Sequence, residues 1–116
     1  MNKRETGAAY ENIAKDYLIN NGYTILEMNH RNKCGEIDII AEIGDCLVFC
    51  EVKYRSSLKY GDPLEAVDFR KQRKIYKAAM YYCTVNNIYF NRNIRFDVIG
   101  IYKNTEIQHI VNAFEG

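Results

Sequence analysis

Two short segments of the chain carry acidic and basic side chains at spacings that suit phosphodiester chemistry. The first is Glu36–Ile43, with the sequence EIDIIAEI, and the second is Cys46–Tyr54, with the sequence CLVFCEVKY. Gly44 and Asp45 separate the two segments. A Gly-Asp pair between strand-like runs predicts a two-residue hairpin turn of type II′, in which glycine supplies the positive φ of the first central position.

The turn also fixes which residues lie opposite each other. A two-residue turn pairs the residues directly before and after it, so opposed residues have numbers that sum to 89. Asp38 then faces Glu51, and Glu36 faces Lys53. The two-residue period of a strand places Asp38, Glu51 and Lys53 on one face of the sheet. Cross-strand β-carbons lie about 4.5 to 5.5 Å apart, so two carboxylates there can share one cation through oxygen ligands, as Mg²⁺ prefers.

Spacing alone leaves a structural alternative open, which is an edge hairpin with a solvated, ion-paired polar face. Charged faces on antiparallel strands are common, and Lys53 can pair with Glu51 or with Glu36. Against this alternative, the second strand is apolar on both faces before Glu51. That pattern is typical of a strand internal to its sheet, where carboxylates are uncommon without a partner.

Hydrophobic patterns predict the elements that position this hairpin. Apolar residues at helical spacing end at Gly22, and Asp68 can cap a second helix. The order α-β-β-β-α-β-β indicates an α/β fold with a mixed central β-sheet flanked by helices. The predicted helices are Glu5–Asn21 and Phe69–Cys83, the further strands are Tyr23–Met28, Ile94–Tyr102 and Ile107–Val111, and the loops are Asn29–Gly35, Ser56–Val67 (with Gly61 and Pro63) and Asn86–Asn93.

Basic residues are concentrated in the second predicted helix and the segment after it. From Phe69 to Phe96 there are seven basic and no acidic residues, although the net charge of the chain is only +1. A solvated helix face is one interpretation, and contact with a DNA backbone is the other. Lys71 falls instead with the apolar stripe and either snorkels or points toward the hairpin. The residues within an arc of about 100° on the helix are Arg70, Arg73, Lys74 and Lys77. Arg31 and Arg55 flank the hairpin strands and are candidates for contact with phosphate oxygens. Together with Lys71, these residues are the expected nucleic-acid-binding set.

Composition narrows the class of protein. A chain of 116 residues with one proline and no membrane-length apolar run is expected to be one domain, 1–116, in the cytoplasm. Its four cysteines have neither the spacing of a structural zinc site nor a CxxC pair, so we expect reduced thiols. His30 and His109 stand alone, and we assign neither a catalytic role. Asp97, in the middle of a strand, is expected to hold a structural hydrogen bond.

The two hairpin segments resemble the YraN-like family of bacterial proteins. The matching motifs are GEIDIIA at 35–41 and FCEVKYR at 49–55. Further matches cover almost the whole chain, among them Gly7, Tyr10 and Glu11 in the first helix, PLEAV at 63–67, Lys71, RFDV at 95–98 and NAF at 112–114. That family is placed in the PD-(D/E)xK nuclease superfamily, which has the restriction-endonuclease-like fold and is similar to Holliday-junction resolvases.

The resemblance implies a metal-dependent DNA endonuclease. Asp38 and Glu51 would bind Mg²⁺, with Mn²⁺ as a substitute, and Lys53 would activate or orient the attacking water. Glu11 would complete the catalytic site as a third metal ligand, although it can also form a solvated ion pair with Lys15. Ile37 replaces the proline of the superfamily's Pro-Asp step. This departure bears more on whether the protein cleaves DNA than on whether it belongs to the family.

The resemblance also implies partners. DNA is the expected macromolecular partner, no membrane is expected, and a homodimer suits resolvase-like enzymes because two scissile strands need two sites. Two rival functions remain. One is a nucleic-acid-binding protein with a nuclease-like fold and no turnover, and the other is a protein-interaction module that binds neither metal nor DNA.

Overall fold

The computed structural model describes residues 3–55, 67–88 and 92–115, with side chains described from Gly7 onward. These residues form two helices and five strands in the order α-β-β-β-α-β-β, which confirms the predicted α/β fold. The elements are α1 (Lys3–Asn20), β1 (Thr24–Asn32), β2 (Gly35–Ile43), β3 (Cys46–Arg55), α2 (Phe69–Val85), β4 (Asn93–Tyr102) and β5 (Ile107–Phe114).

The five strands form one mixed sheet in the order β1-β2-β3-β4-β5. Neighbouring strands are antiparallel except β3 and β4, which are parallel. A parallel pair requires a crossover connection, and α2 lies within it. β3 is therefore the central strand, as its apolar residues on both faces indicate. This position excludes the alternative of an edge hairpin with one solvated face.

The β2–β3 hairpin has the predicted register over its first five pairs, from Ile43 opposite Cys46 to Ile39 opposite Cys50. Gly44 has a φ of 57° and Asp45 is not among the positive-φ residues, as a type II′ turn requires. The ladder ends at the fifth pair. The predicted backbone pairings beyond it, Asp38 with Glu51 and Glu36 with Lys53, are wrong.

A side chain replaces the missing pairing at that point. The backbone N–H of Val52 donates to Oδ2 of Asp38 over 2.8 Å, so a carboxylate takes the place of a strand carbonyl. Ile37 and Ile40 both pack on the α2 side of the sheet, whereas Ile39 packs on the α1 side. The two-residue alternation of β2 is thus interrupted next to Asp38, where β2 and β3 separate.

The predicted loop from Asn29 to Gly35 is wrong, because β1 continues through most of it. The strand reaches Asn32 and turns through Lys33 and Cys34 into β2. Pairing with β2 outweighs the low strand propensity of these polar residues. Other boundaries move less, since α1 begins at Lys3, α2 ends at Val85 and β5 runs on to Phe114.

The sheet lies between the two helices and buries a separate core on each face. On the α2 side the helix residues are Ile75, Ala78, Ala79 and Cys83, packed against a cluster that includes Phe49. On the α1 side Ala14 and Leu18, both fully buried, contact strand residues of β2, β3 and β4, namely Ile39, Ala41, Val48, Cys50, Ile99 and Ile101.

Parts of two predicted connections lie outside the described residues. The predicted loop 56–67 and the PLEAV motif lie outside the described residues except for Val67, as do positions 89–91 of the predicted connection. All four cysteines are free thiols, as expected. In the described part of the chain, no helix is long and apolar enough to cross a membrane.

A buried ionic network holds β4, β5 and α1 together. The carboxylate of Asp97 is fully buried and accepts two hydrogen bonds from the guanidinium of Arg95, over 2.9 and 2.8 Å. It also bonds Nε2 of His109 over 2.7 Å and accepts the backbone N–H of Asn112 over 2.9 Å. His109 in turn contacts the hydroxyl of Tyr17 on α1. Asp97 therefore has the structural role that was expected, and His109 belongs to the same network.

We expect Asp97→Ala to lower the free energy of unfolding by about 3 to 5 kcal/mol, because it leaves buried donors without an acceptor. Burial alone would raise the pKa of Asp97, but hydrogen bonds from His109, Arg95 and Asn112 outweigh it and hold the pKa below its usual value. The stabilisation is therefore present at neutral pH and lost as the pH falls through that lowered pKa. Urea unfolding at pH 7 and at pH 3 measures both effects.

The exposed Asp45→Ala variant is the matched control. Asp45 lies in the β2–β3 turn, where, among the described residues, its carboxylate accepts one hydrogen bond, from Asn93. Its loss is expected to change stability by about 0.5 kcal/mol or less. An equal effect of the two substitutions would show that the Asp97 network does not stabilise the fold.

Candidate active site

Glu51 lies at the centre of the candidate site, on the face of β3 that α2 covers. Its side chain is 7% exposed, and two ammonium groups contact the same oxygen, Oε1. Nζ of Lys53 lies 3.2 Å from that oxygen and Nζ of Lys71 lies 2.9 Å from it. Lys53 follows Glu51 by two residues on the same strand face, and Lys71 reaches across from the first turn of α2. The negative charge of Glu51 is therefore balanced by lysines from two elements, β3 and α2.

Asp38 supplies the second carboxylate of the site. Burial raises its pKa most strongly, and the nearby charge of Glu51 raises it further. The hydrogen bond from Val52 and the charge of Lys53 only partly oppose this, and the pKa reaches about 7. Asp38 is thus close to half-protonated at neutral pH, which is unusual for a carboxyl group.

The two lysines differ in how firmly they hold a proton. Burial lowers the pKa of Lys53, and the adjacent Lys71 lowers it further. Burial also acts to lower the pKa of Lys71, but its contacts with Lys53 and Glu51 outweigh burial and raise it. Lys53 is therefore the lysine better suited to exchanging a proton with a nearby water, and Lys71 is the more permanent cation.

An open cleft of about 490 Å³ joins these groups to a basic surface. It lies between the start of α2 and the separated ends of β2 and β3. Asp38 and Glu51 both line it, so the structure brings together the two carboxylates that the sequence analysis selected. The remaining lining residues are Gly35, Glu36, Asp68, Arg70, Lys71, Lys74 and Ile75.

The structure does not bring Glu11 into this cleft as a third ligand. Glu11 is half-buried on α1, and its charge is close enough to raise the pKa of Asp38. It is not among the residues that line the cleft. Within residues 3–55, 67–88 and 92–115, no three His, Cys, Asp or Glu side chains are grouped so that they could hold a metal ion. Of the other acids that line the cleft, Glu36 pairs with Arg31 and Asp68 caps α2.

The α2 basic residues divide between two sides of the helix. Arg70 and Lys74 line the cleft with Lys71, whereas Arg73 and Lys77 line a separate groove on the other side. The capping role of Asp68 is confirmed, since its side chain accepts the backbone N–H of Lys71 over 2.9 Å.

The arginines that flank the hairpin lie at its ends. Arg31 is exposed and pairs with Glu36 over 2.6 Å. Arg55, the last residue of β3, is half-buried, and its Nε has no hydrogen-bond partner among the described residues.

The sequence left the orientation of Lys71 open. It was predicted to bind nucleic acid, with two orientations left open, and the structure selects the one that points into the site. The signal was its helical angle, which placed it with the apolar stripe and apart from the other four basic residues.

Comparisons with known proteins agree with the motifs. The family described as "Uncharacterised protein family UPF0102" matches residues 10–101. A UPF0102 protein of Clostridioides difficile is 50% identical, with 98% of this chain and all of that protein covered. One from Caldanaerobacter subterraneus is 46% identical over 98% of each chain, and one from Clostridium botulinum is 48% identical over 97% of this chain and 95% of its own.

A structural comparison found a more distant similarity. The structure of Pyrococcus furiosus SfsA in complex with Ca²⁺ aligns with 99% of this chain and 66% of its own, at 14% identity and a TM-score of 0.37. The family comparison is much closer, since it covers both the hairpin motifs and the helix that carries Lys71. The chain belongs to the UPF0102 family, the YraN family that its sequence motifs indicate.

Proposed function

We propose that the protein is a metal-dependent DNA endonuclease of the PD-(D/E)xK type, acting on DNA in the cytoplasm, with branched DNA as its candidate substrate. The observation that carries the proposal is a pair of carboxylates, buried Glu51 and half-buried Asp38, in one cleft with cationic side chains. Membership of the UPF0102 family supports it, because the hairpin motifs of that family resemble those of the nuclease superfamily.

The donor set of this pair suits Mg²⁺. Mg²⁺ is usually bound by one or two carboxylates together with waters and substrate phosphate oxygens. A complete cage of protein ligands is therefore not required, and Asp38 and Glu51 suffice. The raised pKa of Asp38 also indicates that a cation is needed before both carboxylates are fully ionised at neutral pH. Mn²⁺ accepts the same ligands and is expected to substitute.

In this proposal the side chains that line the cleft, and Lys53 beside Glu51, have distinct tasks. When bound between the carboxylates, a divalent cation supplies Lewis acidity and a water of lowered pKa. Lys53, whose own pKa is lowered, orients the attacking water and exchanges a proton with it. Lys71 keeps the carboxylate of Glu51 in place through its 2.9 Å contact. Arg70 and Lys74 hold the phosphates of the DNA backbone along the wall of the cleft.

One observation favours a second candidate, a nucleic-acid-binding protein without turnover. Lys53 and Lys71 already contact Glu51, so the charge of this carboxylate is balanced without a metal ion. A site built only to bind phosphates would keep the same cations and the same cleft. The two candidates differ in whether DNA is cleaved when Mg²⁺ or Mn²⁺ is present.

Cleavage assays on branched, single-stranded and duplex DNA test the endonuclease directly. With Mg²⁺ or Mn²⁺, we expect the wild type to cleave at least one substrate. Asp38→Asn and Glu51→Gln are expected to lose about 100-fold or more of the rate, because each removes a charged metal ligand. Lys53→Met is expected to lose a similar factor through the loss of proton transfer and water orientation.

Glu27→Gln is the matched control for the cleavage assay. Glu27 is an exposed acid on β1, pairs with His30 and does not line the cleft. Its rate is expected to stay within about twofold of the wild type. Equal rates for the wild type and the Asp38 and Glu51 variants would contradict the proposal, and DNA binding without any cleavage would favour the second candidate.

Without metal, the charge on Asp38 should make stability depend on pH. Its pKa is raised to about 7 in the folded protein, so folding favours the protonated form, and stability is lost as the pH rises toward and through that value. Relative to Asp38→Asn, which keeps an acceptor for the Val52 N–H, the wild type should lose about 2 kcal/mol between pH 5 and pH 7. Urea unfolding in EDTA measures this difference, and a constant difference across that range would contradict it.

The basic residues of α2 should make DNA affinity strongly dependent on salt. Each phosphate contact contributes about 0.9 to the slope of log K against log salt concentration for duplex DNA. We expect Arg70→Ala to reduce the slope by about one and to weaken all duplex sequences equally. Lys33→Ala, a cation in the β1–β2 turn, is the control. Fluorescence anisotropy from 50 to 300 mM KCl gives the slopes, and equal slopes for the two variants would remove Arg70 from the interface.

A further inference from the structure

The side of α2 that faces away from the carboxylates carries a second groove. It has a volume of about 370 Å³ and is lined by Phe69, Gln72, Arg73, Tyr76, Lys77 and Glu115. No residue of this groove lines the cleft that contains Asp38 and Glu51. α2 therefore separates two concave surfaces, one with the paired carboxylates and one with aromatic and basic side chains.

The aromatic member of the groove is unusually accessible. Phe69, the first residue of α2, is 70% exposed. Single exposed apolar side chains are common, so exposure alone does not indicate a binding site. Here, however, the guanidinium carbon of Arg73 lies 5.7 Å from the centre of the Phe69 ring. An aromatic ring beside an arginine is the combination on which unpaired bases stack in proteins that bind single strands.

The second aromatic residue of the groove is packed against the protein core. Tyr76 lies 6.0 Å from Phe96, centre to centre, and Phe96 is buried among the residues that α2 covers. Tyr76 lies two helical turns from Phe69 on the same face of α2. A planar group entering the groove would meet the solvent-exposed ring of Phe69 beside the packed ring of Tyr76.

The charges of the groove favour a base over a phosphate group as the occupant of the groove. Four exposed basic residues form a ridge along α2, namely Arg70, Arg73, Lys74 and Lys77. Arg73 and Lys77 line the groove on one side of this ridge, and Arg70 and Lys74 line the cleft on the other. Glu115 contributes a carboxylate to the groove itself. A carboxylate repels phosphate but accepts hydrogen bonds from the amino groups of bases. The ridge thus suits the backbone, and the groove suits a base.

We propose that this groove is a subsite for an unpaired base of single-stranded or branched DNA, stacked on Phe69, while the backbone crosses the basic ridge of α2. The subsite rests on the proposed function, since it defines which DNA reaches the carboxylate cleft on the other side of the helix. It requires DNA with at least one unstacked nucleotide next to the scissile bond. Continuous duplex DNA contacts the ridge without entering the groove.

Binding measured in EDTA tests the subsite without requiring cleavage. The probes are a fluorescein-labelled single-stranded DNA 12-mer and the corresponding duplex, and anisotropy gives the affinity for each. Phe69→Ala is expected to weaken single-strand binding about tenfold, the loss of one stacked base, and to change duplex binding by less than twofold. Phe69→Tyr keeps a stacking surface and is expected to restore single-strand affinity. In the wild type, 2-aminopurine at the centre of the strand should be quenched on binding, and Phe69→Ala should abolish the quenching.

Val85→Ala is the matched control, because Val85 is also exposed, at 61%, on the same helix. It lies 16 residues from Phe69, which is about 24 Å along the helix axis. It should leave both affinities unchanged. Equal losses of single-strand and duplex affinity in Phe69→Ala, or no loss in either, would overturn the subsite.

Three results distinguish the ways in which the proposal can fail. A lower molecular mass of Phe69→Ala in sedimentation would show that the groove is covered by a second copy of the chain. Failure of the wild type to bind either DNA would remove the proposed function together with the subsite. Binding and metal-dependent cleavage that do not respond to Phe69→Ala would remove the subsite alone.

Discussion

The site depends on a single electrostatic constraint, which is that two carboxylates, buried Glu51 and half-buried Asp38, line one cleft. Two like charges about 5 Å apart repel each other by about 3 kcal/mol at an effective dielectric constant of 20. Two ammonium groups, those of Lys53 and Lys71, contact one oxygen of Glu51. Burial and then the charge of Glu51 raise the pKa of Asp38 to about 7, and the charge of Lys53 only partly opposes them. The fold thus holds a carboxyl group whose ionised form a further cation would stabilise.

The sheet topology creates this arrangement at the place where β2 and β3 separate. Their ladder ends at Ile39 and Cys50, which frees the N–H of Val52 to bond the side chain of Asp38. The parallel pairing of β3 with β4 requires a crossover, and α2 within that crossover places Lys71 over the end of β3. If the β2–β3 ladder continued to the ends of both strands, the N–H of Val52 would bond a backbone carbonyl in place of the Asp38 side chain. The local interruption therefore positions the charged groups and is part of the site.

Much of this could be predicted from local sequence patterns, and the exceptions have identifiable causes. The turn at Gly44 fixed the register of the hairpin, and that register brought Asp38 and Glu51 to the same place. The end of the ladder could not be predicted in this way, because it results from competition between the Asp38 side chain and a backbone carbonyl for one N–H. The extension of β1 was missed for a similar reason, since tertiary pairing overrides weak strand propensity.

The residues that were hardest to place interact across long sequence separations. His109 meets Asp97 across the register shift between β4 and β5, and Tyr17 joins it from a helix 92 residues away. No spacing rule relates such positions. Lys71 was a partial exception, because its helical angle differed from that of the other basic residues even though its partner, Glu51, was not evident.

The charge distribution of α2 is unfavourable for the helix itself, and this favours a role in binding anions. Its first turn contains no acidic residue, whereas Arg70 and Lys71 lie close to the positive end of the helix dipole. Each such cation costs about 0.3 to 1 kcal/mol. Lys71 regains stability through Glu51, but in the described part of the chain Arg70 and Lys74 have no salt-bridge partner. A ligand with phosphate groups would stabilise both cations where they lie, because it meets them together with the N-terminal end of the helix.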